Sequence, residues 1–370
     1  MTRGWAWLAI SLLAGGCAGR RIVATIDLPP ARMVSVGGWH GCAVTHDGQT
    51  HCWGDLWWHH VDDRVGSFSG RPTRVAVADE ATAIEVGYES ACAATPDGIV
   101  CWWHDPGRKP DSAWVWRRAV AARTLSSSGT ALCWIDTNGR ASCEGIFPWR
   151  TPGILTSSQR AWDCYAPRSL ARVGPVISLS LTTADGCVTS SDGRVRCWGL
   201  DHDGGRWGGD PPFAHEGQLV EVANVDGAVE VAVAPHHACA RLDDGGVTCW
   251  GAELPPTRVA GVEGAQRVKV TERRSCALVD GGQVLCWGPA TAPRPVRGLD
   301  EIVDFDLAEH LCAVRADGAI VCVYQGVISA RVRAAVGDAR ADDSDAVSSR
   351  PRPAVSGPWS WKPGEQVCFE

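Results

Sequence analysis

Cys276-Ala-Leu-Val-Asp-Gly-Gly-Gln-Val-Leu-Cys286-Trp287-Gly288 is the stretch from which the fold can be read. Two strand-like runs flank Asp280-Gly281-Gly282, and a cysteine closes each outer end. The same arrangement recurs at Cys42–Cys52, Cys187–Cys197 and Cys239–Cys249, each followed by Trp-Gly. Weaker copies stand at Cys133–Cys143, Cys312–Cys322 and Cys92–Cys101, the last one residue shorter. Seven copies of one unit decide the architecture before any local reading does.

The turn sets the register. Six residues after each first cysteine stands a glycine: Gly48, Gly98, Gly139, Gly193, Gly245, Gly282 and Gly318. A three-residue hairpin loop, a type I turn plus bulge, needs a left-handed residue at its third position, which glycine adopts at no steric cost. Asp or Asn precedes the glycine in six copies and suits the turn. With such a loop the first cysteine pairs directly across from the second, within disulfide range. The expected bridges are Cys42–Cys52, Cys92–Cys101, Cys133–Cys143, Cys187–Cys197, Cys239–Cys249, Cys276–Cys286 and Cys312–Cys322. Closing so short a loop is worth at most about 3 kcal/mol each. In the shorter second copy the opposing residue is expected to shift by one.

Before each hairpin lies an alternating segment, such as Met33-Val-Ser-Val or Val229-Glu-Val-Ala-Val, that marks a half-buried strand. After it comes a loop and a short edge strand, such as Pro256-Thr-Arg-Val. Four strands per unit, repeated radially, are the blades of a β-propeller. The expected fold is all-β: a seven-bladed propeller of four-stranded antiparallel blades with intra-blade disulfides. Blade seven needs a closing strand. Arg21-Ile-Val-Ala-Thr-Ile-Asp and the segment 327–336 both suit, and the strand order of the other blades favours the later one.

The pattern Val-Ala-Gly, two residues, His, Ser/Ala, Cys-Ala-Leu, two residues, Asp-Gly, Val, Cys-Trp-Gly resembles the regulator of chromosome condensation repeat. Trp198-Gly-Leu-Asp-His-Asp-Gly-Gly-Arg-Trp-Gly208 is similar to that family's Trp-Gly-x-Asn-x-x-Gly-Gln-Leu-Gly stretch. The resemblance covers about 22–336 and implies a seven-bladed propeller of a cysteine-rich, exported bacterial branch. Glu144-Gly replaces Trp-Gly in blade three, and Val323-Tyr replaces it in blade seven.

The ends and the cysteine count speak for export. Arg3 precedes a short apolar run, and Leu13-Ala-Gly-Gly-Cys17 resembles a lipobox, with the leucine one place too far upstream. Lipidation at Cys17 is the first expectation; a cleaved secretion signal and a retained anchor are the alternatives. All three place the mature chain outside the cytoplasm. The expected domains are a signal peptide over 1–17, the propeller over 18–336 and a polar, flexible tail over 337–370. Of 17 cysteines, setting Cys17 aside leaves an even number, and the spacing is not that of zinc ligands. Cys164 and Cys368 are paired by elimination only. A net charge of −7 without a basic run speaks against nucleic acid.

Successive first cysteines are 50, 41, 54, 52, 37 and 36 residues apart, so blades one, three and four carry long insertions, all after the second cysteine. These hold the binding-face candidates Trp57, Trp58, His59, His60, Trp149, Trp162, Tyr165, Trp207 and Phe213. Exposed loop aromatics suit a protein partner; packing onto the rim is the competing reading. Trp114 and Trp116 are counted with them for blade two. His40, His237 and His310 recur two residues before a first cysteine and are read as structural, with no metal site, no cofactor and no catalytic set. The expected function is a non-enzymatic, monomeric scaffold, lipid-anchored to the bacterial cell envelope, that binds an envelope or extracellular protein. The alternative is a glycan-binding or glycan-processing protein with its site at the channel mouth. Guanine-nucleotide exchange, which the family name suggests, does not suit an exported chain.

Overall fold

The computed structural model describes residues 21–38, 40–54, 72–87, 90–104, 113–128, 131–145, 170, 173–182, 185–199, 219–251, 254–288, 291–325 and 340–342. Its strands form seven antiparallel sheets, which follow one another around a ring. Blade one runs Ala31–Gly37, His40–Thr45, Thr50–Gly54 and Thr73–Arg74 from axis to rim. Blades two, four, five and six repeat that order with four strands each. Blade three shows three, Ala122–Ser127, Ala131–Asp136 and Ala141–Gly145; its rim side falls outside the described residues.

The hairpin register is the one the turns dictate. Cys42 pairs with Cys52, Cys187 with Cys197 and Cys276 with Cys286, and all seven cysteine pairs are bonded, with Cα atoms 4.0–4.1 Å apart. All seven turn glycines have positive φ, from 72° to 119°. The expected shift in the second copy does not occur. Cys92 pairs directly with Cys101, because Thr95 pairs with Gly98 and the missing residue comes out of the loop, leaving Pro96-Asp97 as a two-residue turn.

Ring closure differs from the favoured expectation. Arg21–Ile26 pairs along its whole length with Ile320–Gln325 and supplies the fourth strand of blade seven, and 327–336 lies outside the described residues. Arg340–Asp342, within the expected tail, adds a fifth strand. The first and last described strands thus meet in one blade.

Seven apolar cores lie between neighbouring blades. Each disulfide packs toward the next blade, and each Trp-Gly tryptophan packs back on the preceding one. Cys187 and Cys197 of blade four thus share a core with Trp250 of blade five, and Cys312 and Cys322 of blade seven share one with Trp53 of blade one. The turn glycines join the seams as well. The first residues of five inner strands, Ala31, Val176, Ala228, Ala265 and Ile302, each donate a backbone hydrogen bond of 2.8–2.9 Å to the turn-glycine carbonyl of the preceding blade.

Register also explains the two departures from Trp-Gly. Each tryptophan stands across from a small residue: Gly41 opposite Trp53, Ala91 opposite Trp102, Gly186 opposite Trp198, Ala238 opposite Trp250 and Ser275 opposite Trp287. A Cβ on Gly41 would lie 2.8 Å from the Trp53 ring. Where the tryptophan is lost, the opposing residue is leucine: Leu132 opposite Glu144 and Leu311 opposite Val323. Those leucines are buried in the two seams that lack a Trp-Gly indole, of which the one between blades two and three also holds Trp134. The volume has moved across the strand pair, as a close-packed core requires.

Gly41→Leu is expected to cost about 2 kcal/mol through overpacking, and Trp53→Val about 3 kcal/mol through the cavity it leaves. The double variant, which copies blade seven, is expected to recover much of the loss in a denaturant-unfolding cycle. Strict additivity would show that the two positions do not share a volume.

The central channel as candidate functional site

The inner strands surround an axial cavity of about 270 Å³. One ring of its lining follows from the hairpin register: the residue paired across from each first cysteine lines the cavity. These residues are Ser35, Glu85, Ser126, Ser180, Ala232, Lys269 and Asp306. Two positions earlier, Met33, Ala83, Thr124, Ser178, Glu230, Arg267 and Asp304 form a second ring.

The innermost strand of each blade has an open edge, and its N–H groups need acceptors. The preceding blade supplies them. Asp306 accepts from the Val36 N–H at 2.9 Å, Ser35 from Val86 at 2.9 Å, Ser126 from Leu181 at 3.0 Å and Ser180 from Val233 at 3.0 Å. In the second ring Asp304 accepts from Val34, Ser178 from Val231 and Glu230 from Val268. Short side chains with an acceptor oxygen therefore clasp one blade to the next. The Ser35 hydroxyl also donates to Asp306, which doubles the clasp where the ring closes.

In the first ring two positions cannot accept, Ala232 and Lys269. The Lys269 ammonium instead meets Asp306 at 2.8 Å, and Arg267 pairs with Asp304 in the adjoining layer. Burial works against the charged forms, yet the carboxylates of Asp306 and Glu85 hold the Lys269 ammonium above its ordinary value. Burial likewise opposes the Asp306 carboxylate, but Lys269, the Val36 N–H and the Ser35 hydroxyl hold its pKa below the usual range. Glu85 has no comparable cation. Burial pushes its pKa up to about 7, with Asp306 adding to the rise and Lys269, the Ser127 N–H and Arg267 opposing it. The third carboxylate pair, Glu230 with Arg241 at 3.0 Å, lies within one blade.

The repeat histidines occupy blade seams. Burial, reinforced by the charge of His310, lowers the pKa of His40 to about 3. Burial lowers His310 to about 4. Both are neutral at physiological pH. His237 bonds Ser275 at 2.9 Å across the seam between blades five and six. Among the described residues no three His, Cys, Asp or Glu side chains are grouped to hold a metal ion.

Cys17, Cys164 and Cys368 lie outside the described residues, as do Trp57, Trp58, His59, His60, Trp149, Trp162, Tyr165, Trp207 and Phe213. The strands that lead into the insertions are described. Gly54 pairs with His40, Gly145 with Ala131 and Gly199 with Asp185, so those strands all end on the face opposite the Asp-Gly turns. Trp114 and Trp116 are not loop residues: both stand in the outer strand Ala113–Arg118, and Trp116 packs on the core between blades two and three. The channel ring was missed in the sequence, although its signal is simple. In six blades it is the seventh residue before the first cysteine, and in blade seven the sixth.

No family model matches the chain, and no curated protein matches it. Solved structures do. Human WBSCR16 is 12% identical, with a TM-score of 0.61 over 84% of this chain and 100% of that one. Prp20p of Saccharomyces cerevisiae, described together with its binding to Gsp1p and histones, is 14% identical, with a TM-score of 0.53 over 85% and 93%. The same yeast protein, RCC1 (Prp20), bound to Kap60, gives 12% identity and a TM-score of 0.52 over 85% and 90%. Such identities show a shared fold, an RCC1-like β-propeller.

The raised pKa of Glu85 sets a pH dependence. Between about 4.5 and 7 the folded chain keeps a proton that the unfolded chain releases, so stability falls as pH rises through that window. Asp306 acts oppositely and lower: its contribution is present above pH 3.8 and is lost as pH falls further. Glu85→Gln is expected to flatten the upper slope and to be more stable than the parent at pH 8, by guanidinium unfolding. Parallel pH profiles would rule out a buried Glu85 charge as the cause.

Proposed function

We propose that this chain is a non-enzymatic, protein-binding scaffold of the bacterial cell envelope, anchored through lipid at Cys17. Its partner is an envelope or extracellular protein that docks on the face where the insertions leave the blades. The observation that carries the reading is the fate of the polar channel groups. Asp306, Ser35, Ser126, Ser180, Asp304, Ser178 and Glu230 each accept a backbone N–H of the next blade, so the most polar part of the ring serves blade-to-blade cohesion. What remains for recognition is the surface and its unrepeated loops.

Seven disulfides suit an oxidising, extracytoplasmic environment. Among the described residues no helix is long and apolar enough to cross a membrane. The similar fold of Prp20p, a protein that binds Gsp1p and histones, supports protein binding as a class of function. We take 1–17 as the signal peptide and 18–336 as the propeller, to which Arg340–Asp342 adds one strand. The face bearing Trp57, Trp58, His59, His60, Trp149, Trp162, Tyr165, Trp207 and Phe213 is the binding face, and the chain acts as a monomer. Cys164 and Cys368 form the eighth bridge.

Crosslinking in intact cells is expected to lose its main adduct in a Trp57, Trp58 and Trp207 triple alanine variant, while the far-ultraviolet spectrum is unchanged; an unaltered adduct pattern would refute the assigned face. Cys17→Ser is expected to move the protein from the membrane fraction to the soluble one. Retention in the membrane would refute lipid anchoring.

A further inference from the structure

Among the described residues, blade two carries the longest outer strand with nothing paired to its outward edge. Ala113–Arg118 pairs through all six residues with the adjoining Gly98–His104. The outer strands of blades one, four and six have two residues each, and that of blade five contains Pro255 and Pro256. Short strands, prolines and charged side chains are the usual means of blunting a sheet edge. Ala113–Arg118 is neither short nor broken by proline, and its charges, Arg117 and Arg118, stand at one end. Among the described residues nothing pairs with its outward edge. Trp116 packs inward on the core between blades two and three and holds the strand in place. Val115, 39% exposed, and the exposed Arg117 and Arg118 flank the open edge.

Blade seven shows what such an edge accepts. Its outer strand Arg21–Ile26 is extended by Arg340–Asp342, antiparallel, with Asp342 in register opposite Arg21. A rim edge of this ring thus takes a fifth strand.

We propose that the outer edge of blade two binds an extended segment of another protein as a fifth strand, with acidic residues of that segment meeting Arg117 and Arg118. Main-chain hydrogen bonds along the strand supply affinity, and the alternating side chains supply selection. Arg118 is only loosely paired in the free ring, at 3.7 Å from Glu144, with over half of its side chain exposed. A second copy is the poorer occupant, because edge-to-edge pairing would bring four arginines into one ribbon. This edge lies on the rim, so the proposal does not rest on the insertion face.

The test uses the full-length chain and an array of fluorescein-labelled decapeptides of Val and Thr that carry Asp or Glu at two successive positions, so that one acidic side chain falls on each face of the added strand. Saturable binding by fluorescence anisotropy is expected for members of the array. Methylating alternate peptide nitrogens of a bound member is expected to weaken it about tenfold or more, since strand addition needs those donors. Arg117→Glu/Arg118→Glu, which alters exposed side chains alone, is expected to weaken acidic peptides about tenfold and to favour their lysine counterparts. Absence of binding across the array, or binding indifferent to both changes, would overturn the proposal. So would crosslinks joining Ala113–Arg118 to the same strand of a second copy, or to residues 343–370 of the same chain.

Discussion

Everything in this ring depends on the register of one hairpin, and that register depends on a left-handed residue at the end of a three-residue loop. With glycine there, the first cysteine faces the second. The adjacent pair must then place Trp-Gly's tryptophan across from the residue before the first cysteine, which is why that residue is small wherever the indole is present. The same register puts the inner-strand residue opposite the first cysteine on the channel wall. Staple, seam and channel are three consequences of one turn. A one-residue slip would exchange the two faces of every blade. Blade two tolerates a shorter copy because the loop, not the ladder, absorbs the deletion.

The channel shows how a propeller handles its inner edges. An open edge at the axis leaves N–H groups facing a cavity too narrow for another strand. Serine, aspartate and glutamate from the preceding blade meet that need, so a polar channel here is first a structural feature. Lys269 and Arg267 of blade six, facing Asp306 and Asp304 of blade seven, replace the usual clasp by ion pairs. The carboxylates of Asp304 and Asp306 still accept from blade one, so these two residues join blades six, seven and one. Glu85 is the exception that the clasp does not neutralise.

Much of the fold was legible because repetition amplifies a weak local signal. Alternation alone cannot separate a half-buried strand from many other segments, but seven aligned copies with a turn glycine in each can. The ring-closing strand was not legible. Arg21–Ile26 and 327–336 have similar patterns, and the choice depends on which segment reaches the edge of Ile320–Gln325. Trp114 and Trp116 were misplaced for a related reason: length after the second cysteine was read as loop, whereas blade two spends it on a long outer strand. The channel ring was written in the sequence at a constant offset, yet its meaning appears only when seven residues from distant positions meet around an axis.

The sequence by itself determined the all-β repeat, the hairpin register in six of its seven copies and the seven cysteine pairs, because each is a matter of neighbours within about eleven residues. Only the tertiary structure decided which terminus closes the ring, why leucine accompanies a lost tryptophan, and which side chains clasp the blades. Those depend on contacts between blades: Ser35 and Asp306 are 271 residues apart in the chain and hydrogen-bonded at 2.8 Å in the fold. Packing volume and hydrogen-bond demand at a seam are properties of two blades at once.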